Sequence, residues 1–153
     1  MKLISALLFP ALFFLACCTS QKSGQANITQ GVSGIVAEAI GNQMPSPDEK
    51  PTGPVPIKTT IYVYELTNKS QVAAIGPQPF YTAINTKFID STVSNNEGHF
   101  AIALVPGNYS VFTKVDGKFY ANLFDGQNNI QPVRVEANKV TELNITISAK
   151  AFY

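Results

Sequence analysis

Apolar and polar residues alternate in short runs along the chain from Gly31 onward, and clusters of Gly, Pro, Asn and Asp end each run after a few residues. Val, Ile, Thr, Tyr and Phe dominate the runs, the residue types that fit a pleated, half-buried surface. A period of two puts successive side chains on opposite faces of a strand. The pattern predicts strands over residues 32–40, 58–67, 87–94, 99–105, 108–116, 119–124, 130–136 and 140–148, and no helix. Short strands with turn signals at roughly 8–12-residue spacing read as an all-β sandwich, here of about seven to eight strands. Within it, Phe100, Ile102 and Leu104 share one face, as do Tyr109, Val111, Thr113 and Val115, then Leu143, Ile145 and Ile147, with Ile89 and Val93 forming a fourth such set. Asn95-Asn96-Glu97-Gly98 supplies residues that tolerate a positive φ, and Pro106-Gly107 turns the chain again. Pro132 interrupts its run, as expected of an edge strand or a bulge.

The N-terminus has a different pattern. Lys2 precedes a largely apolar run from Leu3 that ends in Phe14-Leu15-Ala16-Cys17-Cys18. A membrane-spanning helix needs about 20 apolar residues, and this run is shorter, contains Pro10 and is followed by Thr-Ser-Gln-Lys. The only good small-residue cleavage site stands directly before a cysteine. Residues 1–16 therefore read as a lipoprotein signal peptide, with Cys17 as the acylated residue and Cys18 its neighbour. One acyl chain binds a membrane only marginally, whereas two or three hold essentially permanently. Residues 17–30 read as a lipidated tether, polar and without periodicity from Ser20 to Gln30, and residues 31–153 as one domain. The membrane, through lipid on Cys17, is thus an expected partner. The expected location is the cell envelope, with the outer membrane and its periplasmic face preferred because no acidic export signal follows Cys17.

Composition narrows the function. The chain has two cysteines, Cys17 and Cys18, so the domain has no thiol for a disulfide, a nucleophile or a metal. Without Lys2, basic and acidic residues balance at 10 each, from totals of 11 and 10, and Arg134 is the only arginine, which argues against nucleic-acid binding. His99, the only histidine, falls on the face opposite Phe100. A hydrolase triad or a zinc site needs a base or several ligands together, and the sequence offers neither. The expectation is a noncatalytic protein without metal or cofactor.

The motif Gly31-x-x-Gly34-x-Val36, a proline-rich first loop, Ile61-Tyr62-Val63-Tyr64 and then Asn96-Glu97-Gly98-x-Phe100-x-Ile102-x-Leu104-x-Pro106-Gly107-x-Tyr109-x-Val111 resembles the carboxypeptidase regulatory-like domain. The whole chain is similar to Bacteroidota lipoproteins of unknown function that carry this one domain. The resemblance implies a transthyretin-like (prealbumin-like) Greek-key β-sandwich and an accessory module without peptidase chemistry. In its terms the residues from Gly98 to Val111 build the fold, and Tyr109 points inward with its hydroxyl on a backbone group, like a sandwich corner tyrosine.

Three segments are candidate sites. Residues 41–57 form a long loop stiffened by Pro45, Pro47, Pro51, Pro54 and Pro56, either functional or a cap on the sandwich. In residues 119–129 aromatics run into amides and a carboxylate, and Tyr120, Asn122, Phe124, Asp125, Asn128 and Asn129 form a candidate sugar or peptide surface, while a core strand ending in a turn explains the same residues. Asp125, Asn128 and Asn129 offer too few carboxylates for a calcium cage. The terminal Ala149-Lys150-Ala151-Phe152-Tyr153 offers an aromatic end either for packing on the domain, the preferred reading, or for a partner. Asp90-Ser91-Thr92 marks Ser91 as a candidate O-glycosylation site, whereas the N-x-S/T triplets at Asn27, Asn68, Asn108 and Asn144 are discounted in a bacterial lipoprotein. The expected function is a membrane-anchored interaction or structural module with an envelope protein or glycan partner, with carbohydrate or peptide binding as the alternative and an enzyme third.

Overall fold

Strand β1 (Gly31–Asn42) organises the smaller of two sheets because its two halves take different partners. In the computed structural model, which describes residues 27–44, 53–76 and 79–152, its first half pairs antiparallel with β7 (His99–Ala103) and parallel with β11 (Val140–Glu142). Its second half pairs antiparallel with β2 (Val55–Pro56) and parallel with β12 (Ile145–Phe152). The larger sheet runs β4 (Val72–Ala74), β5 (Phe80–Ile84), β9 (Lys118–Tyr120), β8 (Gly107–Val115), β3 (Thr60–Glu65), β6 (Phe88–Val93), and β10 (Pro132–Val135) joins β8 beside its first half. Together they form an all-β, sandwich-like arrangement.

The inward residues of the alternation fill the space between the sheets. Val32 and Val36 from β1, Ile61 and Val63 from β3, Phe100 and Ile102 from β7, Tyr109 and Val111 from β8, and Ile145 and Ile147 from β12 are all buried in one cluster. Burial of each such side chain is worth about 1.5–3 kcal/mol. Tyr109 donates its hydroxyl to the Val105 carbonyl at 2.9 Å, so a polar tip in the core is satisfied four residues upstream. Two glycines let backbones meet. At Gly34 a Cβ would collide with the Leu143 carbonyl oxygen, and at Gly98 (φ +76°) it would collide with the Val36 carbonyl oxygen. Gly98 thereby brings the turn after β6 against β1, and its own carbonyl accepts the Val36 N–H at 2.9 Å.

The structure departs from the pattern in several places. The run at 140–148 is two strands, because Leu143 donates its N–H to Ser33 (2.8 Å) and Asn144 turns its side-chain oxygen to the Ile35 N–H (3.0 Å), filling the gap in the ladder. The run at 119–124 ends as a strand at Tyr120, and Phe124 makes only an isolated bridge to Ile130. The β4–β5 hairpin, and the short β2, lacked a legible alternation and were not predicted. Ile89 packs against the core but Val93 is exposed, because a register shift opposite Val63 and Tyr64 breaks the period within β6. One 3₁₀ turn, Lys69–Gln71, occurs where no helix was expected, capped by the Asn68 side chain on the Ser70 N–H.

At the boundaries, Gln30 belongs to the domain rather than to a tether: its amide donates to the Leu104 carbonyl at 2.8 Å and accepts from the Asn138 N–H at 2.9 Å. Pro132 opens β10, which pairs only with β8, as expected of an edge. β12 continues to Phe152, whose ring is 71% exposed rather than packed. Cys17, Cys18, Tyr153 and the loop prolines Pro45, Pro47 and Pro51 lie outside the described residues.

Candidate functional site

The six residues of the candidate sugar or peptide surface do not converge. Tyr120 is a correction: only 2% exposed, it faces the core because its place in β9, in register with Thr113 of β8, puts it on the inner face. Its ring meets Phe80 edge-on at 5.5 Å. Its hydroxyl accepts the Ser148 N–H at 2.9 Å and shares a hydrogen bond with the Ser148 hydroxyl at 3.0 Å. Asn122 donates to the same hydroxyl at 3.3 Å. These contacts lie where the β1–β12 register shifts between Glu38 and Ile40, so Tyr120 ties an irregularity of one sheet to a strand of the other.

The rest of the segment forms a self-bonded turn. Asp125 accepts the N–H groups of Gln127 and Asn129 on one oxygen and the Asn129 amide on the other, each at 2.8 Å. Hydrogen bonds from Asn129, side chain first and backbone second, hold the Asp125 carboxyl below its ordinary range against an opposing desolvation, with a lesser contribution from the Gln127 N–H. Asn128 adopts φ +64°, the left-handed conformation that asparagine tolerates. Asn68 donates its amide to the Gln127 carbonyl at 2.8 Å, and the Lys69 ammonium lies 4.0 Å from the centre of the Phe124 ring. Asp125 and Asn129 do border a shallow open cleft of about 270 Å³ with Asn108 and Arg134. Yet both Asp125 oxygens are already taken, by the Gln127 N–H and by the backbone and side-chain amides of Asn129.

A second surface, which the sequence pattern did not single out, covers the outer face of the larger sheet. Tyr62 and Tyr64 project there, opposite the inward Ile61 and Val63. Register places Phe88 and Phe112 beside them, and Phe119 joins from β9. The rings meet edge to face: Tyr62 with Phe119 at 5.5 Å, Tyr64 with Phe88 at 5.5 Å, with Phe112 at 5.7 Å and with Phe119 at 5.9 Å. This is the geometry that aligns a positive ring edge with a negative ring face. Phe112, Tyr81, Ala121 and Ile130 are buried as a small second core, while Tyr62, Tyr64 and Phe119 are half-buried and Phe88 is 48% exposed. The Lys114 ammonium stands 5.0 Å from the Tyr62 ring centre and 4.8 Å from that of Phe119. Desolvation, with a smaller contribution from Tyr62, raises the Tyr64 phenol, and burial pushes that of Tyr81 up to about 12. The available signal was Ile61-Tyr62-Val63-Tyr64 itself, since a strand without polar residues on either face needs cover or a partner on both.

Among the other candidates, His99 is exposed, as its alternation predicted. Ser91 is exposed on β6, in register with Tyr62, and its N–H is held by the Asp90 carboxylate at 2.7 Å. Among the described residues no group of three or more His, Cys, Asp or Glu side chains is placed to hold a metal, and no helix is long and apolar enough to cross a membrane. Comparison of the chain with family models, curated proteins and solved structures returns no match.

Proposed function

We propose that this chain is a lipid-anchored envelope protein, acylated on Cys17, whose carboxypeptidase regulatory-like, transthyretin-like sandwich is a noncatalytic interaction module. The observation that carries the module reading is the half-open aromatic face built by Tyr62, Tyr64, Phe88 and Phe119. An aromatic patch left partly in contact with water forgoes burial energy that a partner would supply, which is why such patches mark contact surfaces. The glycine-to-tyrosine motif supports the family reading in physical terms: Gly98 allows a close backbone approach, Phe100, Ile102 and Leu104 are buried together, and the Tyr109 hydroxyl closes the following turn. The anchor rests on the sequence alone, and periplasmic-facing attachment to the outer membrane is part of the same proposal.

Carbohydrate or peptide binding is the second reading. It is favoured by the mixture of rings, hydroxyls and an ammonium on the same face rather than by the 120–129 segment. The module reading is tested by placing a photoreactive phenylalanine analogue at position 88 and irradiating intact cells. The expected result is a high-mass adduct, discrete for a protein partner and heterogeneous for a glycan. No adduct at position 88, under conditions that trap a known envelope complex, overturns the reading.

A further inference from the structure

We infer that the outer aromatic face binds an anionic saccharide, its rings and phenols taking the sugar and Lys114 taking the sugar's carboxylate. This rests on the second reading, carbohydrate binding on this face, and names the chemical class of the saccharide. The tyrosines divide into two sets. Tyr81, Tyr109 and Tyr120 are buried and their hydroxyls bond to Ala121, Val105 and Ser148. Tyr62 and Tyr64 stand on the outer face, and neither hydroxyl has a hydrogen-bond partner among the described residues. Two adjacent phenols on a half-buried face, with donor and acceptor capacity unused among the described residues, suit a polyhydroxylated ligand, whose C–H faces also pack on rings.

Charge selects the anionic class. Lys114 has no carboxylate within 4.0 Å among the described residues, in contrast to Lys139 and Lys150, which pair with Glu136 and Glu38. The residues in cross-strand register on this face are Ser91, Ser110 and rings, with no acid among them, while Asp90 is in register with inward-facing Val63. An ammonium held over two rings, without a counter-charge, is placed to meet an anion. An acidic peptide fits less well. The backbones of β3 and β8 are paired on both sides, and at the β6 edge the Ser91 N–H that an added strand would need is already taken by Asp90.

The test uses the full chain in detergent micelles and follows its retention on immobilised polygalacturonate, on the methyl-esterified polymer, on neutral dextran and on polyglutamate. Retention on polygalacturonate is expected, at least tenfold weaker on the methyl ester and on dextran, and weaker still as salt screens the ammonium. Lys114→Gln and Tyr62→Phe, both exposed or half-exposed changes that keep the packing, should each weaken retention by about threefold or more with the thermal midpoint unchanged. Absence of retention on polygalacturonate, equal retention on polyglutamate, or retention unaffected by Lys114→Gln overturns the inference. If an adduct still forms at position 88, the module reading survives that failure; if no adduct forms either, both fall.

Discussion

Replacing Tyr120 with Phe separates a structural from a ligand-binding role for this residue. The ring stays: Phe fills nearly the same volume, and the edge-on contact with Phe80 at 5.5 Å is kept. What is lost is the hydroxyl that accepts the Ser148 N–H at 2.9 Å and bonds its side chain at 3.0 Å. Two hydrogen bonds contribute about 0.5–1.5 kcal/mol each, and a part-buried N–H left without a partner costs about 1–3 kcal/mol. Because Asn122 can still reach the Ser148 hydroxyl at 3.3 Å, part of the loss is recovered, and the expected destabilisation is about 1.5–3 kcal/mol. For a domain of this size that lowers the thermal midpoint by roughly 5–12 °C. The chain has no Trp, so unfolding is followed by far-UV circular dichroism or tyrosine emission in urea. A cycle with Ser148→Ala should show a coupling of about 0.5–1.5 kcal/mol. A stability change below about 0.5 kcal/mol refutes the role given to the hydroxyl, and strict additivity with Ser148→Ala, which keeps the Ser148 N–H, refutes its bond to the Ser148 side chain.

Further expectations follow from other parts of the fold. Gly34→Ala drives a methyl group into the Leu143 carbonyl and should cost about 2–3 kcal/mol in urea denaturation; a neutral result contradicts the close approach of β1 to the 143–144 junction. Tyr81 keeps its proton to about pH 12, whereas an unfolded tyrosine loses it near 10, so its stabilising contribution is complete below about pH 10 and declines by about 1.4 kcal/mol per pH unit between the two values. Phenolate absorbance at 295 nm should lag correspondingly, and a single unperturbed titration of all tyrosines disproves its burial. Asp125 is the opposite case: its folded carboxyl is lowered, so the turn is held above the ordinary carboxylate range and released as pH falls through the folded value. The amide resonances of Gln127 and Asn129 should report that release, and movement only at an ordinary Asp value counts against the hydrogen bonds assigned to it. Replacing both cysteines, Cys17→Ala with Cys18→Ala, should abolish metabolic labelling with palmitate, because Cys17→Ala alone would place a small residue before Cys18 and create a second acceptor site, while Cys18→Ala alone should leave labelling unchanged; persistent labelling in the double variant removes the proposed anchor.

Periodicity and turn chemistry alone determined the all-β class, most strand positions and the inward set of the Gly98–Val111 region, because a period of two and a Gly or Pro turn are local properties of the chain. The inward direction of Tyr109 and the exposure of His99 were legible for the same reason. Pairing partners were not. The division of β1 between β11 and β12, filled by Asn144, depends on residues more than a hundred positions apart. The β4–β5 hairpin exists because β5 meets β9, not because its own sequence alternates strongly. The candidate surface shows the same division: a mixture of rings, amides and a carboxylate is readable in residues 119–129, but only register turns Tyr120 inward and lets Asp125 and Asn129 satisfy each other. Likewise, Tyr62 and Tyr64 announce two apolar faces on one strand, while only the neighbouring strands bring Phe88, Phe119 and Lys114 to the outer one. Alternation in the sequence groups the residues that share one side of a regular strand; the tertiary structure decides which side turns inward, where a bulge breaks the period and what lies beside each residue, because register and strand neighbours are set by burial summed over both sheets.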